Sequence, residues 1–129
     1  MGAVKHGHGN VGPVLVLTCF VRRKPGMSPE DFHRYWREQH GPLVASTESG
    51  SHVIRYEQHH RALEDYGPKD DGGFDGVTVQ WFASRADYEA HVAAADFATV
   101  WADIEKFLDV ERLTYVLTDT VEVIVDGAV

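Results

Sequence analysis

Arg22-Arg-Lys-Pro-Gly-Met-Ser-Pro-Glu-Asp-Phe-His-Arg-Tyr-Trp-Arg-Glu-Gln-His-Gly-Pro-Leu43 contains a strand exit, a helix start, an aromatic helix face and a histidine at the expected helix end. Ser28 is a natural N-cap, because its hydroxyl can accept from an unpaired backbone N–H of the first turn. Pro29 falls at the first helical position, where its missing N–H costs nothing, and Asp31 sits three residues after the cap, close to a capping box. Phe32, Tyr35, Trp36, Gln39, His40 and Leu43 follow at three- and four-residue spacing, so they share one face and that face is expected to be buried. His40 is the titratable member of the stripe. Gly41-Pro42 directly after it reads as a stop or a sharp bend.

Outward from this helix the chain alternates strand and helix signals. Val14 to Val21 is apolar at both parities and so predicts a strand covered on both faces. The helix itself is expected to reach about Thr47. Val53 to Arg61 reads as a second strand, and Leu63 to Phe74 as a polar loop punctuated by Gly67-Pro68 and Gly72-Gly73. Gly76 to Ala83 is the third strand. Ser84, with Asp87 three residues on, starts another helix. Asp96 is expected to break that helix and cap a further one, with Phe97, Val100, Trp101, Ile104, Phe107 and Leu108 on its apolar face. Leu113 to Val125 reads as a long last strand interrupted at Thr118-Asp119-Thr120. The order β-α-β-β-α-β is the split ferredoxin-like arrangement, an α+β fold whose helices lie on one face of an antiparallel sheet. The other face still carries apolar residues from several strands, and a second copy packed sheet to sheet would cover them.

Composition narrows the class. A chain of 129 residues is one domain, long enough to bury roughly two-thirds of its unfolded surface. The excess of 20 acidic over 12 basic residues, a net charge of −8, argues against nucleic acid and anionic membrane as partners. No apolar run approaches the ~20 residues that span a bilayer. A single cysteine excludes an internal disulfide, and with no hydrophobic signal region at the start the expected location is the cytoplasm. Residues 1–12, rich in Gly and His, read as a flexible tail ahead of a domain over residues 13–129. His6 and His8 on such a segment form no specific metal site.

The pattern Arg23-Lys-Pro-Gly-Met-Ser28, Phe32, Tyr35-Trp36, His40 and Pro42-Leu43 resembles the opening of the EthD-like family of the dimeric α/β-barrel superfamily. Asp75-Gly76-Val77 leading to Trp81-Phe82, and Phe107-Leu108-Asp109 before the last strand, continue the resemblance over about residues 14 to 118. It implies a homodimer closing a shared barrel. It also implies a small cofactor-free enzyme (a lyase, cyclase, dehydratase or isomerase) acting on an aromatic, lactone or polyketide-like molecule. His40 matches the family's recurrent helix-end histidine, which points into the pocket between helix and sheet.

An imidazole can act as base or acid near neutral pH; a helix C-terminus would raise its pKa and burial would lower it. The alternative for His40 is a structural histidine bonded to a backbone carbonyl. Strand alternation puts Ile54, Tyr56, Gln58 and His60 on one face, the less charged one, so Tyr56 and His60 are expected near His40 as hydroxyl donor and second acid/base group. His59 then points away. Phe32, Trp36, Leu43, Trp81, Trp101 and Phe107 are the expected apolar walls of a pocket for a flat ligand, with core packing as the alternative role of each. Cys19 reads as a small buried hydrophobe. Asp70-Asp71-Gly72-Gly73 lacks the spacing of a calcium loop. No phosphate loop, dinucleotide fingerprint or serine nucleophile motif occurs, and no metal or cofactor is expected. Proton abstraction beside a carbonyl, followed by elimination, ring closure or isomerisation, fits this inventory. Two alternatives stand: a cofactor-free or haem-dependent monooxygenase on the same fold, and a non-catalytic small-ligand binding or stress-associated module.

Overall fold

The computed structural model describes residues 14–69 and 72–127, so the expected tail over residues 1–12 lies outside the described residues. Four strands, β1 (Leu15–Val21), β2 (Arg55–His60), β3 (Gly76–Phe82) and β4 (Thr114–Thr118), form one sheet in the order β2-β3-β1-β4. Every neighbouring pair is antiparallel. Helices α1 (Pro29–Tyr35), α2 (Gly41–Ser46), α3 (Glu48–Ser51), α4 (Arg85–Ala93) and α5 (Phe97–Phe107) lie on one face of the sheet, giving the expected split βαββαβ fold.

The starts of α1 and α4 are as the sequence dictates. Ser28 Oγ accepts the Asp31 N–H at 3.1 Å, and Ser84 Oγ accepts the Asp87 N–H at 3.1 Å. Asp96 behaves differently. It precedes α5, but its carboxylate takes the Glu48 and Ser49 N–H groups at 2.9 and 3.0 Å, so it caps α3 and ties the two helical layers together.

Gly41-Pro42 neither stops nor sharply bends the helix. Residues Trp36–His40 form a single π-helical turn between α1 and α2, and the Gly41 N–H reaches back five residues to the Trp36 carbonyl. Pro42 brings no N–H and its ring needs room, and the wider turn just before it supplies that room. The Trp36 carbonyl also accepts Gln58 Nε2 at 2.8 Å. A Cβ on Gly41 would come within 3.2 Å of that nitrogen, so the glycine lets the helix approach β2.

The helix-facing side of the sheet packs in two clusters. Val21, Phe32, Trp36, Phe107 and Leu108 form one; Leu15, Leu17 and Phe82 form the other. Burying each of these large side chains contributes about 1.5–3 kcal/mol. The last strand is shorter than expected. Regular pairing ends at Thr118, and Ile124 and Val125 are exposed beyond it, because an alternating valine pattern makes a strand only where a neighbour is present to pair with it.

Candidate active site

Between the two clusters, sheet and helices do not close on each other. They leave a cavity of about 330 Å³. Leu17, Cys19, Tyr56, Thr78 and Gln80 form its floor, and Trp36, His40, Val44, His91, Val100 and Phe107 its helical walls. Three lining residues are themselves exposed, Val92, Trp101 and Tyr115, and they form the rim. The size lies at the lower end of the range of small-molecule sites, and the lining is mostly apolar with a few polar groups, as such sites are.

His40 ends the π turn, 5% exposed. Its Nδ1 lies 2.8 Å from Asp103 Oδ2 on α5, and Asp103 is itself buried. Tyr35 donates its hydroxyl to the other carboxylate oxygen, and Lys106 Nζ stands 3.8 Å from that oxygen. A carboxylate can only accept, so His40 carries its hydrogen on Nδ1 and presents the Nε2 lone pair; no side chain among the described residues bonds that nitrogen. Burial lowers the His40 pKa from the usual imidazole range, with the Asp103 hydrogen bond and charge opposing it. The group is therefore a neutral base at neutral pH. The Tyr35 phenol, buried against Asp103, is pushed up to about 12.

Tyr56 reaches the cavity floor from β2, directly paired with Gln80 on β3. Its oxygen accepts Gln58 Nε2 at 2.9 Å. Burial pushes its phenol up, and hydrogen bonds from Gln58 and the Trp36 side chain work the other way. A second imidazole, His91 on α4, also lines the cavity. Its Nδ1 donates to the Ser49 carbonyl at 2.7 Å, and burial again lowers its pKa.

Of the residues the sequence put in the site, the fold brings together His40, Tyr56, Trp36, Trp101 and Phe107. Four lie elsewhere. Phe32 is wholly buried behind Trp36 and Phe107. Leu43 faces a shallow outer groove with Tyr35, Gln39 and Ala98. Trp81 pairs with Val16 and so occupies the opposite sheet face; its buried Nε1 has no partner among the described residues. His60 is on the helix-covered face, as alternation requires, but toward the far end of β2 from the cavity, stacked on Trp36 and bonded to His33.

Asp103 and His91 were not singled out by the sequence reading, and Tyr35 was read only as part of the apolar helix stripe, not as a partner of the site. Asp103 had a signal, an acid spaced three and four residues from Val100 and Phe107 on the apolar face of α5. Cys19 faces the cavity as a thiol that burial pushes up to about 11, consistent with a hydrophobe and not a nucleophile. Among the described residues no group of three or more histidine, cysteine or acidic side chains is placed to hold a metal ion.

A ferredoxin-like domain with a histidine–aspartate pair on the wall of an apolar cavity is the class this geometry defines. The EthD domain family matches residues 24–111, and the chain belongs to that family. Its fold is similar to that of the hydroxynitrile lyase of Passiflora edulis, with 13% identity, a TM-score of 0.60, and coverage of 84% of this chain and 94% of that one. It is also similar to SnoaB, a cofactor-independent oxygenase of Streptomyces nogalater, at 8% identity and a TM-score of 0.54 over 83% of this chain and 92% of that one. A dimeric ferredoxin-like protein of Thermobifida fusca YX aligns at 14% identity and a TM-score of 0.58, covering 88% and 99%. At such identities the likeness establishes the fold. No curated protein matches the chain in sequence.

Proposed function

We propose that the protein is a small acid/base enzyme of the lyase, cyclase, dehydratase or isomerase type, acting on a carbonyl-bearing aromatic, lactone or polyketide-like molecule held in the cavity. The observation that carries this reading is the His40–Asp103 pair, buried on the cavity wall with one imidazole nitrogen anchored and the other unengaged. His40 Nε2 takes a proton from the carbon beside the substrate carbonyl. The C–H electron pair moves into the new C=C bond, and the negative charge that develops on oxygen is met by the Tyr56 hydroxyl. The imidazolium, stabilised by Asp103, then returns its proton to carbon (isomerisation) or to a departing group (elimination). Trp36, Trp101 and Phe107 hold a flat ring, and His91 stands as a second imidazole in the role expected of His60. The fold neighbours named for lyase and oxygenase activities support a catalytic use of this architecture. The dimer and a cytoplasmic setting, suited to the single unpaired Cys19, belong to the same reading.

The test uses 2-tetralone in deuterium oxide, with α-proton exchange followed by NMR. The wild-type protein is expected to catalyse exchange. His40→Ala and His40→Gln are expected to fold normally and lose the catalysed rate by roughly 10²–10⁴-fold. Exchange that persists in both variants contradicts the assignment. Cyanide release from mandelonitrile and oxygen uptake with an anthrone separate the lyase reading from the oxygenase one.

A further inference from the structure

Behind Trp36, away from the cavity, lies a chain of polar side chains that the proposed chemistry does not use. Asp75, 1% exposed, is salt-bridged to Arg23 Nη1 at 2.6 Å and accepts the Arg23 backbone N–H at 2.7 Å. Tyr66 hydroxyl lies 2.5 Å from Asp75 Oδ1 and 2.9 Å from His33 Nε2. His33 Nδ1 and His60 Nδ1 are 2.7 Å apart. His60 Nε2 lies 2.9 Å from Gln58 Oε1, and the Gln58 amide nitrogen bonds both the Trp36 carbonyl and the Tyr56 hydroxyl at the cavity floor.

Both ends of this chain are fixed in polarity. The Gln58 nitrogen is committed to two acceptors, so its oxygen faces His60 and His60 Nε2 must donate. The Asp75 carboxylate can only accept, so the Tyr66 hydrogen goes to it and the Tyr66 oxygen takes a hydrogen from His33 Nε2. Each neutral imidazole has then spent its one hydrogen at Nε2. Their Nδ1 atoms face each other bare, two lone pairs at 2.7 Å, which is repulsive. One added proton between them turns that contact into a charge-assisted hydrogen bond and completes the chain.

We propose that His33 and His60 share one proton between their Nδ1 atoms and act, through Gln58, as positioning residues that hold the Tyr56 hydroxyl with its own hydrogen turned to the cavity. The inference rests on the reading of Tyr56 as the cavity's hydrogen-bond donor. It makes Tyr56 sensitive to a titration outside the cavity. The groups around the pair act in both directions. Burial is the largest influence on His33 and lowers its pKa; Asp75 and Glu30 raise it, and Arg37 and Arg23 lower it. Burial, then His33 and Arg37, push His60 down to about 4. The shared proton is therefore gained on the acid side of the ordinary imidazole range. The arrangement described is the protonated one, and loss of the proton parts the rings and releases His60 from Gln58.

Protein labelled with ¹⁵N in the histidine rings and ¹³C at the tyrosine Cζ tests this by NMR, titrated from about pH 9 down to the acid limit of the folded state. The expected result is one single-proton step seen at both His33 and His60, with the Tyr56 Cζ resonance moving at the same midpoint. In Gln58→Leu the histidine step should remain while Tyr56 ceases to follow it. In His33→Phe the joint step should vanish and His60 should titrate alone at a different midpoint. Independent titration of the two rings in the wild type, rings that stay flat throughout, or a Tyr56 resonance that ignores the step would each overturn the proposal. The α-proton exchange by His40 is read separately, so failure of that assay and failure of this one are distinguishable.

Discussion

Asp103→Asn keeps the shape of the buried side chain and removes the charge that His40 leans on. In the wild type, burial holds the imidazole below its usual range while Asp103 pulls it up. The base form therefore persists from neutral pH down past the ordinary imidazole range, and the exchange rate should fall only as pH drops through that lowered pKa. Without the carboxylate the opposing pull is gone, so the acid limb should move to still lower pH. The plateau should drop as well, because a neutral amide holds Nδ1–H and stabilises the imidazolium less than a carboxylate does and Nε2 is less basic, yet by less than the loss on deleting the imidazole. A pH–rate profile of the variant checks both; an acid limb displaced upward would contradict the dyad. At this scale His40 was legible because a titratable group interrupts an apolar stripe. Asp103 interrupts one too, but its partner is 63 residues away, and only the fold reveals the pairing. Trp81 was misplaced because β3 alternates, with Val77, Val79 and Trp81 on one parity and Thr78, Gln80 and Phe82 on the other, and it is the more polar parity that faces the helices and the cavity.

The π turn shows where reading single elements stops. The caps at Ser28 and Ser84 depend on adjacent residues, and both were visible. The passage of the helix through Gly41-Pro42 depends on a wider turn that docks on Gln58 of another strand, which local rules do not contain. The short β4 has the same origin, since pairing partners decide strand ends. Two glycine substitutions separate tight from merely close contact. A Cβ at Gly76 would meet the His59 carbonyl at 2.4 Å and the Trp36 ring at 2.7 Å, so Gly76→Ala should cost about 1–3 kcal/mol through forced backbone shifts. A Cβ at Gly41 meets the end of the Gln58 side chain, Nε2, at 3.2 Å and the Trp36 carbonyl oxygen at an ordinary 3.6 Å, and alanine is the better helix former by about 0.8–1 kcal/mol. Gly41→Ala should therefore be near neutral in stability. Urea denaturation of both variants checks the contrast, which equal losses would refute.

For the molecule as a whole, the face of the sheet turned away from the helices carries Val16, Phe20, Val77, Val79, Trp81 and Val116. Val16 is buried already, but Val116 is substantially exposed, and so are Ile124 and Val125 beyond the sheet. These are the apolar side chains that the proposed dimer would cover. Light scattering is expected to give about twice 14.4 kDa at micromolar concentration, and a stable monomer would remove the dimer from the account. No helix among the described residues is long and apolar enough to cross a membrane. The fold was legible because capping, periodicity and strand order all agree on it; the cavity was legible only in part, because it is made where four strands and three helices fail to close. A crystal structure with 2-tetralone is the decisive measurement. The ketone is expected in the cavity, its oxygen on the Tyr56 hydroxyl and its α-carbon beside His40 Nε2. A ketone bound elsewhere, or a cavity filled by side chains of a partner chain, would contradict it.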